Sequence, residues 1–238
     1  MPMMTKDSRK KVICYLCGRI IDGNLSREHV PPKQFFPSEL RQRLNPNLRT
    51  LPSHLKCNKQ FEKDEDYFLA SCGVLADFAP VSDPLMRDLY KKLVQNPKNV
   101  MIYRILEEFR EPTGDLILLN NKVIKELDFH RICRVVWKIV RGLHFIEFNT
   151  LLPEDTKHVV DAFQAGDILP KYFKFALQHT EIEGEFPPIF SYTHNIFEFV
   201  KSRTSTQIWG LSFWNSLIFS VRTWGPGLLP SIVNDTQE

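Results

Sequence analysis

The stretch VICYLCGRII, residues 12–21, sets Cys14 and Cys17 two residues apart and follows them with Gly18. A Cys-x-x-Cys-Gly turn aims two thiolates at one point, where both can bind a single ion. The pair has a counterpart in SHLKCN, residues 53–58, where His54 and Cys57 repeat the spacing at the expected start of a helix. Thirty-six residues lie between the two pairs. Either pair alone says little. Together they make a Cys3His set of the tetrahedral kind that zinc favours. All four positions are filled by protein, which leaves no open position for chemistry, so the ion reads as a structural staple. The chain has five cysteines, and an odd count argues for metal binding or free thiols over a disulfide framework. Cys72 and Cys133 fall on apolar helical faces and read as core.

The surrounding sequence needs such a staple. A unit of about 65 residues with a long loop rich in Pro, Arg and Asn (31–53) buries too little apolar surface to hold itself together. VICYLCGRII alternates and is rich in β-branched and aromatic residues, which predicts a short hairpin closed by the cysteine turn and by Asp22-Gly23-Asn24. PSELRQRL, residues 37–44, predicts a short helix. KCNKQFEKDEDYFLASCGVLADF, residues 56–78, has helical spacing, with Phe61, Tyr67 or Phe68, Cys72 and Leu75 on one stripe. The reading is a zinc-stapled strand–strand–loop–helix unit over residues 12–78, behind a flexible basic lead at 1–11.

The net charge of +3 hides an asymmetry. Residues 1–63 carry 13 Lys and Arg against 5 Asp and Glu, whereas the remainder carries 18 against 23. A basic N-terminal quarter suits a polyanion such as nucleic acid. No apolar run reaches the roughly 18 residues that a membrane span needs. The basic N-terminus has no apolar segment behind it and does not read as a secretory signal. The expectation is a cytoplasmic protein with no membrane partner.

The order of motifs is more specific than any one of them. Cys14-x-x-Cys17 is followed by Glu28-His29-Val30-Pro31, then Asn47-Leu48, then His54-x-x-Cys57 with Asn58 directly after it. Over about residues 12–68 this arrangement resembles the HNH endonucleases, also called His-Me finger or ββα-metal nucleases. The resemblance implies a metal-dependent enzyme that hydrolyses phosphodiester bonds of nucleic acid, with DNA the expected substrate. His29 would be the general base that activates water, which a neutral imidazole can do near neutral pH. Glu28, on the opposite side of its strand, and Asn58, at the helix start, would hold the catalytic ion. Oxygen donors suit Mg²⁺ or Mn²⁺, and such an ion would stabilise the departing 3′ oxygen. Asn47 would brace the loop that holds the His29 ring, with Asn45 a near alternative. Glu62, four residues after Asn58, shares its helical face. It reads either as a further ligand or as part of a solvated acidic face. Arg27, Lys33, Arg41, Arg43 and Arg49 flank the site and are the candidate contacts to a phosphate backbone. HNH proteins of this size resemble parts of bacterial anti-phage defence, restriction or mobile elements. The alternative is a catalytically inactive, zinc-stabilised module that binds nucleic acid or protein.

Residues 79–238 show no catalytic signature. APVSDP (79–84) reads as a boundary with a Ser82 or Asp83 cap, followed by a helix from Pro84. NVMIYRILEEFRE (99–111) could be helix or strand, and residues 115–127 read as a hairpin through Asn120-Asn121. DFHRICRVVWKIVRGLHFIE (128–147) is the strongest helix, with Ile132, Val136, Ile139, Val140 and Leu143 on its apolar face and Gly142 near its expected end. PEDTKHVVDAFQAG (153–166) predicts a short helix ended by Gly166. The aromatic and β-branched runs beyond predict an antiparallel sheet with helices on one face. The fold class is therefore α+β, with a C-terminal α+β domain over 79–238 as a surface for a partner or a second copy. Trp209, Phe213, Trp214 and Trp224 are either core or an exposed aromatic patch, core being the simpler reading. His130, His144, His158, His179 and His194 share no spacing and carry no assigned role.

Overall fold

The computed structural model of the chain describes residues 12–44, 48–76, 79–93, 101–110, 124–178, 183–186, 189–199 and 204–225. The lead 1–11, Asn45, Asn47, the turn at Asn120-Asn121 and His179 lie outside the described residues.

Ile13 and Ile20 meet in one antiparallel bridge. The Cys14 N–H donates to the Arg19 carbonyl at 2.9 Å and the Gly18 N–H to the Cys14 carbonyl at 2.8 Å. VICYLCGRII is thus a tight knuckle, a minimal hairpin closed by the cysteine turn as expected: the Ile21 N–H returns to the Val12 carbonyl at 2.8 Å, though the arms make one bridge and no full strands. Gly18 sits at φ +71°, where a side chain is strained. The strands of this unit come from either side of the loop. β1 (Leu25–His29) and β2 (Thr50–His54) pair antiparallel, with Glu28 opposite Leu51 and His29 opposite Thr50. Between them lies α1 (Ser38–Leu44), as expected. The single helix predicted from residue 56 is two, α2 (Leu55–Lys59) and α3 (Glu62–Cys72), with a turn at Gln60–Phe61.

APVSDP opens a helix: α4 (Ala79–Leu93) begins there, so Ser82 and Asp83 lie inside it, as does Pro84. Pro84 is the sixth residue of the helix, past the first turn, so it removes one N–H from the helical ladder. α5 (Met101–Glu107) leads into β3 (Phe109–Arg110), which pairs antiparallel with β4 (Ile124–Lys125). α6 (Phe129–Phe148) starts with Asp128, whose carboxylate accepts from the Arg131 N–H at 3.3 Å. It ends at Asn149, in the left-handed region at φ 52°.

α6 therefore runs past Gly142, which does not terminate it. The glycine is there for a close approach: a Cβ on it would lie 2.7 Å from a Val30 methyl. This contact seats the segment after His29 directly on α6. Gly142→Ala should push the two apart and destabilise the protein by about 1–3 kcal/mol. Urea unfolding would measure it, and an unchanged midpoint would show that Val30 can rotate out of the way.

PEDTKHVVDAFQAG is not a helix but β5 (Lys157–Gln164), paired residue for residue with β9 (Leu217–Gly225). α7 (Lys171–Gln178), β6 (Glu183–Phe186), β7 (Phe190–Phe199) and β8 (Thr204–Phe213) lie between them in sequence. The sheet order is β5-β9-β8-β7-β6, antiparallel throughout. The fold class is α+β with antiparallel strands. Alternation along β8 sends Trp209, Leu211 and Phe213 into the main core, while Ile208 packs with Phe173 and Ala176 of α7. Helices therefore cover both faces of the sheet.

Phe35 in the loop after β1 stacks on Phe68 of α3 at 4.8 Å, and both rings pack on Phe213 and Trp214. Trp214 Nε1 donates to the Phe35 carbonyl at 2.9 Å. One core runs from Cys14 to Val221, so the cysteine knuckle and the sheet share an interior. Trp209, Phe213 and Trp214 are fully buried core, as is Cys72, whereas Trp224 is 37% exposed. Among the described residues, no helix is long and apolar enough to cross a membrane.

His144 and His194 sit in this core around Trp209, with the His194 ring 4.0 Å from the Trp209 ring and Phe148 against both histidines. Burial holds each histidine down to about 4, and His144 adds to the effect on His194. Both are neutral in the fold and protonate more readily when unfolded. Their contribution is complete above the unfolded value near 6.5 and is lost as pH falls from there toward 4. At the acid end this amounts to at most about 3 kcal/mol for each. Stability at pH 7 and pH 4.5 should differ less in the His144→Gln/His194→Gln variant than in the native chain; an equal difference would refute the assignment.

Candidate metal centre and the buried lysine beside it

The knuckle and the end of β2 bring Cys14, Cys17, His54 and Cys57 together, with one ligand atom of each within 4.8 Å of the others. His54 Nδ1 lies 3.3 Å from Cys17 Sγ and 3.8 Å from Cys57 Sγ. Those separations suit neighbouring ligands on a tetrahedral ion with bonds of about 2.0–2.3 Å. His54 Nε2 faces the Ile20 carbonyl at 3.2 Å. A proton on Nε2 donated to that carbonyl leaves the Nδ1 lone pair facing the thiols, a common brace for a ligating histidine. Burial pushes the Cys14 thiol up, but the backbone N–H groups of His54, Leu16 and Cys17 outweigh it and bring it down to about 7. Burial and the neighbouring sulfurs push Cys57 up to about 11. One thiolate thus forms easily and further ones repel it, a conflict that a divalent cation relieves. The four residues could hold a metal ion such as zinc.

Glu28 and Asn58 meet on the α6 side of β1, and His29 ends that strand. Glu28 is buried at 7% exposure on the α6 side of β1. Its carboxylate meets the ammonium of Lys138, from the middle of α6, at 3.1 Å. The same ammonium donates to Asn58 Oδ1 at 3.3 Å and to the Glu65 carboxylate of α3. Asn58 Nδ2 donates in turn to Ser26 Oγ at 3.2 Å, which turns the amide oxygen toward the lysine. Lys138 is only 2% exposed, and its ammonium also lies 5.1 Å from the centre of the Phe61 ring. Burial raises the Glu65 carboxyl, against the pull of Lys138.

Glu62 is not in this cluster. The turn at Gln60–Phe61 breaks the helical face it was expected to share with Asn58, and it is exposed at the first position of α3. Glu65, one turn on, takes that place. Asp64 beside it pairs with Arg131 and Arg134, each at 2.8 Å. Arg141 donates to the Leu16 carbonyl inside the knuckle. Arg131, Arg134, Lys138 and Arg141 thus form a basic stripe on one face of α6, at spacings of three and four. The stripe was visible in the sequence, but nothing local there tied it to residues 12–72.

His29 ends β1, pointing away from Glu28, and is half-buried. Its Nδ1 is buried and meets no hydrogen-bond partner among the described residues; the Leu48 backbone favours the charged ring without reaching hydrogen-bond geometry. Burial first, then the positive charge of Lys33, hold the imidazole below its usual value, with Glu28 pulling the other way. Arg41 adds to the positive field at the ring. Of the other cations expected at the site, Arg27 and Arg43 are exposed, and Arg49 pairs with Glu147 at 3.3 Å. Comparison of the chain with models of protein families, with curated proteins and with solved structures finds no match.

Proposed function

We propose that this protein is a metal-dependent endonuclease of the HNH type, with a structural zinc at the Cys3His group and its chemistry at His29. One observation carries the reading. Glu28 and Asn58, 30 residues apart in sequence, direct oxygens at a single point, 3.1 and 3.3 Å from the same Lys138 nitrogen. In the proposed mechanism the neutral His29 imidazole takes a proton from the attacking water. Lys33 and Arg41 would draw the phosphate toward it, and Glu28 and Asn58 are the residues that would hold Mg²⁺ or Mn²⁺. Such an ion would supply positive charge to the phosphate and to the departing oxygen. The proposed substrate is DNA, and the proposed setting, on the family resemblance, is bacterial anti-phage defence or restriction.

The test is incubation of the zinc-loaded protein with plasmid, single-stranded DNA and RNA, with Mg²⁺ or Mn²⁺. Cleavage of one of these forms, lost in Asn58→Ala, is the expected result. Absence of cleavage on every form would overturn the reading. A second reading has its own support: the Lys138 ammonium fills the space between Glu28 and Asn58. That favours a zinc-stabilised nucleic-acid-binding module without chemistry. Salt-sensitive binding with no cleavage would select it.

A further inference from the structure

The pocket between β1, α2, α3 and α6 already contains a cation. Three oxygen donors from separate elements converge on the Lys138 ammonium: Glu28 from β1, Asn58 from α2 and Glu65 from α3. The Asn58 oxygen is aimed there independently of the lysine, because Ser26 holds the amide nitrogen. Two carboxylates against one ammonium leave the pocket one negative charge in excess. Two carboxylates and an amide oxygen are also the donors that a hard divalent cation prefers. An ammonium and a divalent ion together would set three positive charges against two negative ones in a buried space, so they exclude each other.

We infer that the Lys138 ammonium and a divalent cation are alternative occupants of one pocket formed by Glu28, Asn58 and Glu65, so that metal enters only as the ammonium leaves. This rests on the proposed nuclease reading for placing an ion at Glu28 and Asn58. It adds Glu65 as a third ligand and makes Lys138 the group that sets metal affinity. The lysine stem is long and rotatable, and the Phe61 ring that the ammonium already faces at 5.1 Å forms one wall of the pocket. As a stability device the arrangement is poor, since a buried ion pair gains little over apolar side chains of the same volume. As a counter-ion that holds two carboxylates in a fold before metal arrives, it has a clear use.

The experiment is Mn²⁺ titration of the zinc-loaded full chain by calorimetry, without nucleic acid. Lys138→Met is expected to bind Mn²⁺ at least tenfold more tightly than the native chain. Adding Glu65→Gln to it should lower the affinity at least fivefold. Affinity unchanged or weakened in Lys138→Met, or unaffected by the added Glu65→Gln, would overturn the inference. If Lys138→Met does not fold, the native chain decides: acylation of Lys138 by an amine-reactive reagent, mapped by mass spectrometry, should rise severalfold on adding Mn²⁺, and equal labelling would overturn it. The two readings fail separately. A chain that cleaves nothing but shows these affinity shifts loses the nuclease reading and keeps this one. His29-dependent cleavage with Mn²⁺ affinity indifferent to Lys138 does the reverse.

Discussion

Stripping the metal from the Cys3His group should unfold the knuckle, β1, β2 and α2 while the sheet and α6 remain folded. The ion's contribution is large: structural zinc in small domains has an apparent binding free energy of about 10–16 kcal/mol at neutral pH. A whole domain has only about 5–15 kcal/mol in hand. Here the ion would join the knuckle to the β2–α2 junction: Tyr15 and Leu16 of the knuckle reach the common core, but β1 and β2 bury only Glu28, Leu51 and Ser53. Without the ion, three sulfurs and an imidazole crowd within 4.8 Å, with Cys14 ionising near 7. The damage stops at α3 because Phe68 is locked against Phe213 and Trp214. Hydrogen exchange before and after treatment with a strong zinc chelator measures this directly. Protection retained across residues 25–29 and 50–54 would refute the staple.

On the proposed nuclease reading, replacing His29 by alanine should reduce the cleavage rate by about 100- to 10,000-fold, the usual contribution of a positioned general base. That corresponds to about 3–5 kcal/mol of the barrier. The fold should survive. The ring is half-buried and its Nδ1 meets no hydrogen-bond partner among the described residues. A matching thermal midpoint with a lost rate would assign the defect to chemistry. Cleavage at the native rate in His29→Ala would remove His29 from the mechanism and the nuclease reading with it.

The zinc set was legible because its ligands come in two local pairs whose spacing alone fixes their geometry. The convergence of Glu28 and Asn58 was expected only through the order of motifs, since a lone Glu-His before prolines is ordinary. Lys138 was not, because it reaches the site from 80 residues beyond Asn58 through the packing of α6. Glu62 takes the solvated alternative for a local reason: a single turn at Gln60–Phe61 moves the inward acid from position 62 to 65. Residues 157–164 carry helix-like punctuation, Pro-Glu-Asp before and Gly166 after, but eight pairings with β9 override it. Gly142 resembled a stop signal because close approach and termination call for the same residue. The antiparallel tail was readable because alternation and β-branching agree with its pairing.

The basic stripe of α6 limits how this protein can be divided. Arg131, Arg134, Lys138 and Arg141 neutralise or tie down Asp64, Glu28, Glu65 and the knuckle carbonyl of Leu16. A fragment ending at residue 78 would keep those acids and lose every one of these counter-charges, along with the ring seats for Phe35 and Phe68. The zinc region is therefore no transplantable cassette. Grafted onto another scaffold, it would need a helix with cations at the same four positions before its acids could be buried at all.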